Sequence, residues 1–433
     1  MAIGYACLAL AVPGTGLRGA VLRNAGEARL REIIAHNLAA LERMAQYNAK
    51  NGIRLFRISS DVIPFASSPV NAVPWEREFA EQLHAIWRTF RAAGIRVSMH
   101  PGQYTVLNSP DPETVRNSML ELDYHARFLE ALGADGTNKI ILHIGGAYGD
   151  REAAMRRFGA AYDTLPERVK ARLVIENDDR IFHIGDALAV GLRKGIPVVF
   201  DNLHHMANPP PQGGGDDARW ISECAATWGP RDGRQKIHYS QPDEGKRLGA
   251  HSRGIAADPF LAFWDALPVP RPDVMLEVKD KNVSARKCIL LTDPGMGIGA
   301  LETEWGRWKY LVLERSQAAY LEARRLLKDK SAYPALAFYR AVERALASPV
   351  TMGGAVNAAQ HVWGYFKDAA TPARKKAFAQ KLEAVTKPGG LPALKRFLYR
   401  LAEEHSEGYL LESYYFAPQY AADAEAPAGD ATA

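Results

Sequence analysis

Eight short runs rich in β-branched residues recur between residues 3 and 278, each followed by a longer stretch whose apolar residues fall at three- and four-residue spacing. They are IGYACLA (3–9), IRLFRIS (53–59), IRVSMH (95–100), KIILHIG (139–145), RLVIEN (172–177), IPVVFD (196–201), QKIHYS (235–240) and PDVMLEV (272–278). Runs of this length between segments of helical period predict strands alternating with helices. EARLREIIAHNLAALERMAQYNAKNG predicts one such helix with Gly52 as its stop, and WEREFAEQLHAIWRTFRAAG predicts another ending at Gly94. Eight units of this kind over roughly 250 residues are the pattern of a (β/α)8 TIM barrel. A doubly wound open sheet reads similarly, and the barrel is favoured.

Beyond residue 289 the alternation stops. EWGRWKYLVLERSQAAYLEARRLLKD, ALAFYRAVERALASP, NAAQHVWGYFKDAA and LPALKRFLYRLAEEH all read as helices. The expected organisation is an α/β barrel over 1–289, an all-helical C-terminal domain over 290–416 and an Ala-rich, disordered tail over 417–433. NPPPQGGGDD (208–217) is a loop after the sixth strand, because strand–helix alternation resumes beyond it.

Composition excludes few function classes. Of 433 residues, 47% are hydrophobic and 24% charged, the balance of an ordinary globular chain. The three cysteines, Cys7, Cys224 and Cys288, are far apart and form neither a disulfide framework nor a CxxC pair, which suits a reducing cytoplasm. MAIGYACLALAVPG has no basic residue before its apolar stretch, and no run approaches the roughly 18 apolar residues of a membrane span, so neither export nor membrane insertion is expected. A net charge of +5 is compatible with a polyanionic partner without requiring one. Nothing fixes the oligomeric state, and a monomer is expected.

Barrel active sites lie at the C-terminal ends of the strands. Six of the eight runs end on or beside a metal-capable residue: His100, His143, Glu176, Asp201, His238 and Glu277. His204, three residues after Asp201, and His251, in GAHSRG, extend the set. Ionisable groups converging on one barrel mouth repel or stay uncompensated unless a cation holds them. The histidines of the helical stretches, such as His36, His84 and His361, read as ordinary packing or surface residues. Mixed imidazole and carboxylate ligands predict two to three divalent metal ions, Mn2+ first, with Zn2+ or Mg2+ as alternatives. Ions sharing a bridging carboxylate suit phosphodiester hydrolysis, but sugar isomerases also place two metals in such barrels. The ligand set alone leaves the reaction open.

The loop RVSMHPGQYTVLNSP (96–110) adds a second feature, because Gln103 and Tyr104 are bulky groups with no apolar neighbours in sequence. Together with GYAC, RISSDVIPFAS, LHIGGAYGD, IENDDR, FDNLHH, KIHYSQ, GAHS and LEVKDK, it resembles the ultraviolet damage endonucleases, relatives of the endonuclease IV type of abasic-site enzymes. The resemblance covers about residues 1–285. It implies a metal-dependent barrel that nicks double-stranded DNA immediately 5′ of cyclobutane dimers, 6-4 photoproducts and related lesions. At matching positions it implies His100, His143, Glu176, Asp201, His204, His238, His251 and Glu277 as metal ligands and Lys236 as important to catalysis; Glu176, the one carboxylate at the end of the fifth strand, is expected to bridge two ions in the catalytic centre. Gln103 and Tyr104 match the pair that family members push into the duplex at the lesion, and Tyr5 would line the same pocket.

Two positions depart from the family pattern. Ser68 stands where a further histidine is frequent, which bears on a third metal position, and Ala9 stands where some members carry an asparagine near the lesion. A general abasic-site endonuclease and a sugar isomerase or epimerase of the same barrel type are the rival readings. Lys246, Arg247, Lys279 and Lys281, close in sequence to His251 and Glu277, favour a phosphate-bearing substrate over a sugar.

Overall fold

The computed structural model describes residues 1–211 and 213–420. Eight parallel strands close a barrel in sequence order: β1 (Ile3–Ala6), β2 (Leu55–Ile58), β3 (Arg96–Met99), β4 (Lys139–His143), β5 (Leu173–Glu176), β6 (Val198–Asp201), β7 (Lys236–Tyr239) and β8 (Asp273–Leu276). Closure comes where β8 pairs with β1, Tyr5 standing opposite Leu276. The open-sheet alternative is thereby excluded. Around the barrel lie α1 (Glu27–Lys50), α2 (Ala80–Ala92), α3 (Pro112–Leu132), α4 (Arg151–Asp163), α5 (Ile184–Lys194), α6 (Asp217–Ala225), α7 (Ala257–Ala266) and α8 (Asn282–Thr292).

Strand alternation divides each strand between two environments. Tyr5, Phe56, Ile140, Ile175, Val198, Phe200, Ile237 and Leu276 join the large core beneath the helices. The intervening residues form small clusters inside the barrel, Ala6 with Leu55 and Met275, and Ile141 with Val174 and Val199. One step further along the same inward rows come His143, Glu176 and Asp201. Lower in the barrel, Arg96 pairs with Asp273 at 3.0 Å and Lys139 with Asp232 at 2.6 Å.

The helices begin and end on local signals. Asp111 caps α3 by accepting from the Glu113 and Thr114 N–H groups, Pro112 occupies the first turn, and Gly133 stops the helix at φ 99°. Gly52 and Gly94 follow α1 and α2 with φ of 68° and 63°, as their sequence positions predict. The stretch before Gly94 is divided: a short turn, Trp75–Glu78, precedes α2, and the break falls at Phe79.

The C-terminal region is helical: α9 (Gly297–Arg315), α10 (Gln317–Leu326), α11 (Ala335–Ala347), α12 (Met352–Trp363), α13 (Pro372–Glu383) and α14 (Gly390–Glu404). The run expected as one helix over α9 and α10 breaks at Ser316, whose side chain accepts from the Ala319 N–H and starts a new helix. The segment holding ARKKAF is α13, started by Thr371 and Pro372. The expected boundary between 289 and 290 falls inside α8. Ala285, Cys288 and Ile289 of that helix pack in the barrel core, whereas Val283 and Leu290 pack with α9 and α11. Residues 417–420 are also part of the folded body: Ala417 is buried, and the Tyr420 hydroxyl donates to Asp280 at 3.0 Å. The expected tail therefore does not start at 417, and 421–433 lie outside the described residues. Among the described residues no helix is long and apolar enough to cross a membrane.

The junction between barrel and helical region is ionic at its centre. Arg307 of α9 donates to Glu304 at 2.6 Å, to the Asn51 side chain beyond the end of α1 at 3.0 Å, and to Glu412 at 3.0 Å. Arg307 and Glu304 are both buried. Removing Arg307 leaves the buried Glu304 carboxylate with Arg286 alone, 3.7 Å away, so Arg307→Met should cost about 3 kcal/mol of stability, the low end for breaking a buried pair. Urea unfolding measures this loss, and adding Glu304→Gln to the same chain should recover part of it.

Candidate metal centre and substrate face

The sequence places its ionisable groups where parallel strands deliver them to one point. His143 and Glu176 are partners across the β4–β5 ladder, as are Asp201 and His238 across β6–β7. His100 and Glu277 follow β3 and β8 directly. His204 comes from a short helical turn, Asn202–Ala207, which Asp201 starts by accepting from the His204 N–H at 2.7 Å. His251 sits on a loop folded back so that Pro242 and His251 form an antiparallel bridge.

Glu176 is the hub of this cluster and is fully buried. Its Oε1 lies 2.7 Å from Nδ1 of His238 and 3.6 Å from Nδ1 of His204. Its Oε2 lies 3.4 Å from Nε2 of His100 and 3.7 Å from Nε2 of His143. Glu277 joins through His238, 3.1 Å from its Oε1, and through His251, 3.8 Å from its Oε2. Three sets of side chains each bring their ligand atoms within 4.8 Å of one another: His100, His143 and Glu176; Glu176, Asp201 and His204; Glu176, His238 and Glu277. Every set contains Glu176.

The residues fit a cation on grounds other than composition. Glu176 Oε2, Asp201 Oδ2, His238 Nε2 and His143 Nδ1 are buried atoms without a hydrogen-bond partner. Buried polar atoms are seldom left so, and the orphaned carboxylate oxygens of Glu176 and Asp201, which share one ligand set, are what ligands to an ion present. Burial alone would raise the Glu176 carboxyl, yet His238 and His143 overcome it and hold the group well below the usual carboxylate range. Glu277 is likewise buried and held low, chiefly by Arg57 and His238. His204 would be lowered by burial, but Asp201 and Glu176 lift it to about 9. His100 has less carboxylate help, and burial takes it down to about 4. The cluster thus holds ionised carboxylates beside a neutral imidazole at His100, whereas His204 would have to give up its proton to bind a divalent ion.

Arg57, at the inward end of β2, was not singled out from the sequence. Its Nη1 donates to Glu277 Oε1 at 2.6 Å and both side chains are largely buried. The guanidinium stays charged despite burial because Glu277 and Glu176 face it. A basic residue inside LFRIS, an otherwise apolar strand end, was the available signal.

One expectation needs correction. Tyr5 does not line the mouth: alternation turns it outward beneath α1, where it is fully buried, donates to Asn48 Oδ1 at 2.9 Å and packs on Phe56 at 5.1 Å. Lys236 faces inward two residues below His238, opposite Asp273, fully buried with its Nζ lacking a hydrogen-bond partner. Burial, with Arg96 adding to it, pushes its ammonium well below the usual lysine range.

Above the cluster the surface is built differently. Gln103 and Tyr104 are exposed on the loop after β3, Tyr104 by 85%. Ser68 lies in a turn where its hydroxyl accepts from the Val70 N–H at 3.3 Å, and none of the three ligand sets uses it. The rim cations have carboxylate partners: Arg247 with Asp179 at 2.8 Å and Lys279 with Asp243 at 2.9 Å.

Residues 4–291 match a family model described as UV-endonuclease UvdE, and residues 309–419 match one described as a protein of unknown function, DUF1722. The UV DNA damage endonuclease of Clostridium perfringens strain 13 is 36% identical over 376 residues, 85% of this chain and 89% of that protein. An alignment of that length runs past the barrel into the helical region. The UV DNA damage endonuclease of Bacillus pumilus is 34% identical over 262 residues, 59% of this chain and 80% of that protein. The crystal structure of SacUVDE superposes with a TM-score of 0.63 at 36% identity, covering 67% of this chain and 96% of that one.

Glu176→Gln keeps the shape of the hub but removes its charge. Metal content by emission spectrometry should collapse while the circular dichroism spectrum stays that of the wild type. Unchanged stoichiometry would remove Glu176 as the shared ligand.

Proposed function

Because this chain belongs to the UvdE family of UV endonucleases, we propose that it hydrolyses the phosphodiester immediately 5′ of ultraviolet photoproducts in duplex DNA, leaving a 3′ hydroxyl. The observation that carries this reading is the convergence of three ligand sets on buried Glu176 beside the loop that exposes Gln103 and Tyr104. The ligands would be His100, His143, Glu176, Asp201, His204, His238, His251 and Glu277, holding two or three divalent ions, with Mn2+ the first choice for a mixed imidazole and carboxylate set. When bound, such ions supply an activated water and charge compensation at the cleaved phosphate.

The chain's own groups do the rest. Gln103 and Tyr104 enter the duplex at the lesion, Tyr104 offering a flat face for an unstacked base and Gln103 a donor and an acceptor for the opposite strand. Arg247 and Lys279 exchange Asp179 and Asp243 for backbone phosphates, while Lys246 and Lys281 add charge to the same rim. Arg57 holds Glu277 in place from below. Lys236, buried beneath His238, acts through the cluster and not on the phosphate.

The test is incision of a defined photoproduct duplex by enzyme stripped with a chelator, before and after Mn2+ is restored. A nick at the 5′ phosphodiester that returns with the metal supports the reading. Cleavage of abasic but not photoproduct duplexes would identify the enzyme as an abasic-site endonuclease instead.

Replacing both Gln103 and Tyr104 by Ala separates recognition from cutting. Loss of base stacking should weaken binding to photoproduct duplexes by about five- to 150-fold or more. An abasic site opens more easily, so single-turnover incision there should suffer less. Equal losses on both substrates would mean that the pair positions the phosphate and does not read the lesion.

A further inference from the structure

One aromatic side chain on the substrate face has no part in the reading above. Tyr148 stands in the loop GGAYGD between His143, the last residue of β4, and α4. It is 48% exposed, and its backbone is left-handed at φ 51°. Among the described residues the only other aromatic with positive φ is Phe65, which packs against the barrel core. A bulky residue in this region is strained, and such a conformation persists only where its surroundings enforce it. For Phe65 the packing explains the conformation. For Tyr148 it leaves half of an apolar ring in water.

The surroundings do enforce it. The ring lies against Gly146, where a Cβ would come within 3.0 Å of ring carbons, and the Arg157 guanidinium sits 5.6 Å from the ring centroid. Gly145 and Gly149 turn the chain on either side at φ 110° and 82°. The loop is also tied to its neighbour. Fully buried Asn108, at the base of the loop carrying Gln103 and Tyr104, donates to the Gly146 carbonyl at 2.7 Å, and Arg157 Nε donates to the Asn108 carbonyl at 2.8 Å. β3 and β4 are paired neighbours, so the two loops rise side by side from the same end of the barrel.

We propose that Tyr148 is a second stacking surface for the DNA, a specificity-determining residue held beside the Gln103–Tyr104 loop to receive an unstacked base or a deoxyribose face. Arg157 stiffens the ring from the protein side. The Asn108 link fixes the spacing of the two aromatic groups, so they meet the duplex as one rigid pair. This inference rests on the proposed DNA substrate.

The experiment compares Tyr148→Ala, Leu, Phe and Trp in the full chain, measuring affinity for photoproduct and undamaged duplexes, metal content and thermal midpoint. Phe and Trp should bind like the wild type, because a flat ring is what the contact requires. Ala and Leu should weaken binding to the photoproduct duplex by about five- to 150-fold. Metal content and midpoint should stay unchanged in all four. Leu binding like the wild type would overturn the proposal, as would equal losses in Phe and Ala, which would assign the contact to the hydroxyl. Loss of metal or of midpoint in Leu would reduce Tyr148 to a structural support for the loop of His143. If the wild type neither binds nor cuts photoproduct duplexes, the DNA reading itself fails and takes this inference with it.

Discussion

The burial of Glu176 inside the barrel is the constraint on which the rest depends. A carboxylate that leaves water must be compensated, and here imidazoles from β3, β4 and β7 and from the turn after β6 all approach it within 4 Å. Asp201 and Glu277 add further negative charge to the same volume, so neutral packing cannot resolve the site. The barrel meets this with one permanent cation, Arg57, and with atoms left open for others. Strand pairing makes the arrangement rigid, because His143 opposite Glu176 and Asp201 opposite His238 are fixed by ladder register. Slipping either pair by one residue would turn the ligands into the helix layer.

The helical region is built onto the barrel through shared structure. α8 lends one side to each core, and the Arg307–Glu304–Asn51 contacts close the seam at the end of α1. Tyr420 returns from the far end of that region to bond Asp280, three residues beyond Glu277. Asp280 is buried, which pushes its carboxyl up to about 6, and the tyrosine hydroxyl is one of the groups that satisfy it. The segment following β8 is thus anchored by residues more than a hundred positions away. This gives the helical region a direct hold on the loop that follows Glu277.

Much of this was legible in the sequence, and the failures share a cause. All eight strands, the gathering of ionisable groups at the strand ends and the exposed 103–104 loop could be read because strand-end chemistry and period are local properties. Tyr5 was misread because being near the end of a strand says nothing about which face a residue takes. Ala6, its neighbour, holds the inward row, and only the pairing of β1 with β2 and β8 decides that. Arg57 was missed because its meaning lies in Glu277, 220 residues away. The boundary at 289 failed because a helix buried on both sides looks, in sequence, like any apolar helix. Contacts distant in sequence carry the information in each case.

The two halves of the site obey opposite electrostatic rules. In the well, charge is concentrated, buried and fixed by strands, and the carboxyls of Glu176 and Glu277 are held well below their usual range. On the rim, charge is exposed, sits on loops and is paired with carboxylates that water and salt already screen. Exchanging Asp179 or Asp243 for a DNA phosphate replaces one anion by another and changes the local energy little. On the proposed reading, discrimination is left to exposed groups, the ring of Tyr104 above all. An aromatic face in water costs free energy until a base covers it, and a base becomes available where the duplex is already weakened. On this account the damaged site is selected by stacking on the rim and cut by the well, and the barrel serves to hold the two at a fixed separation.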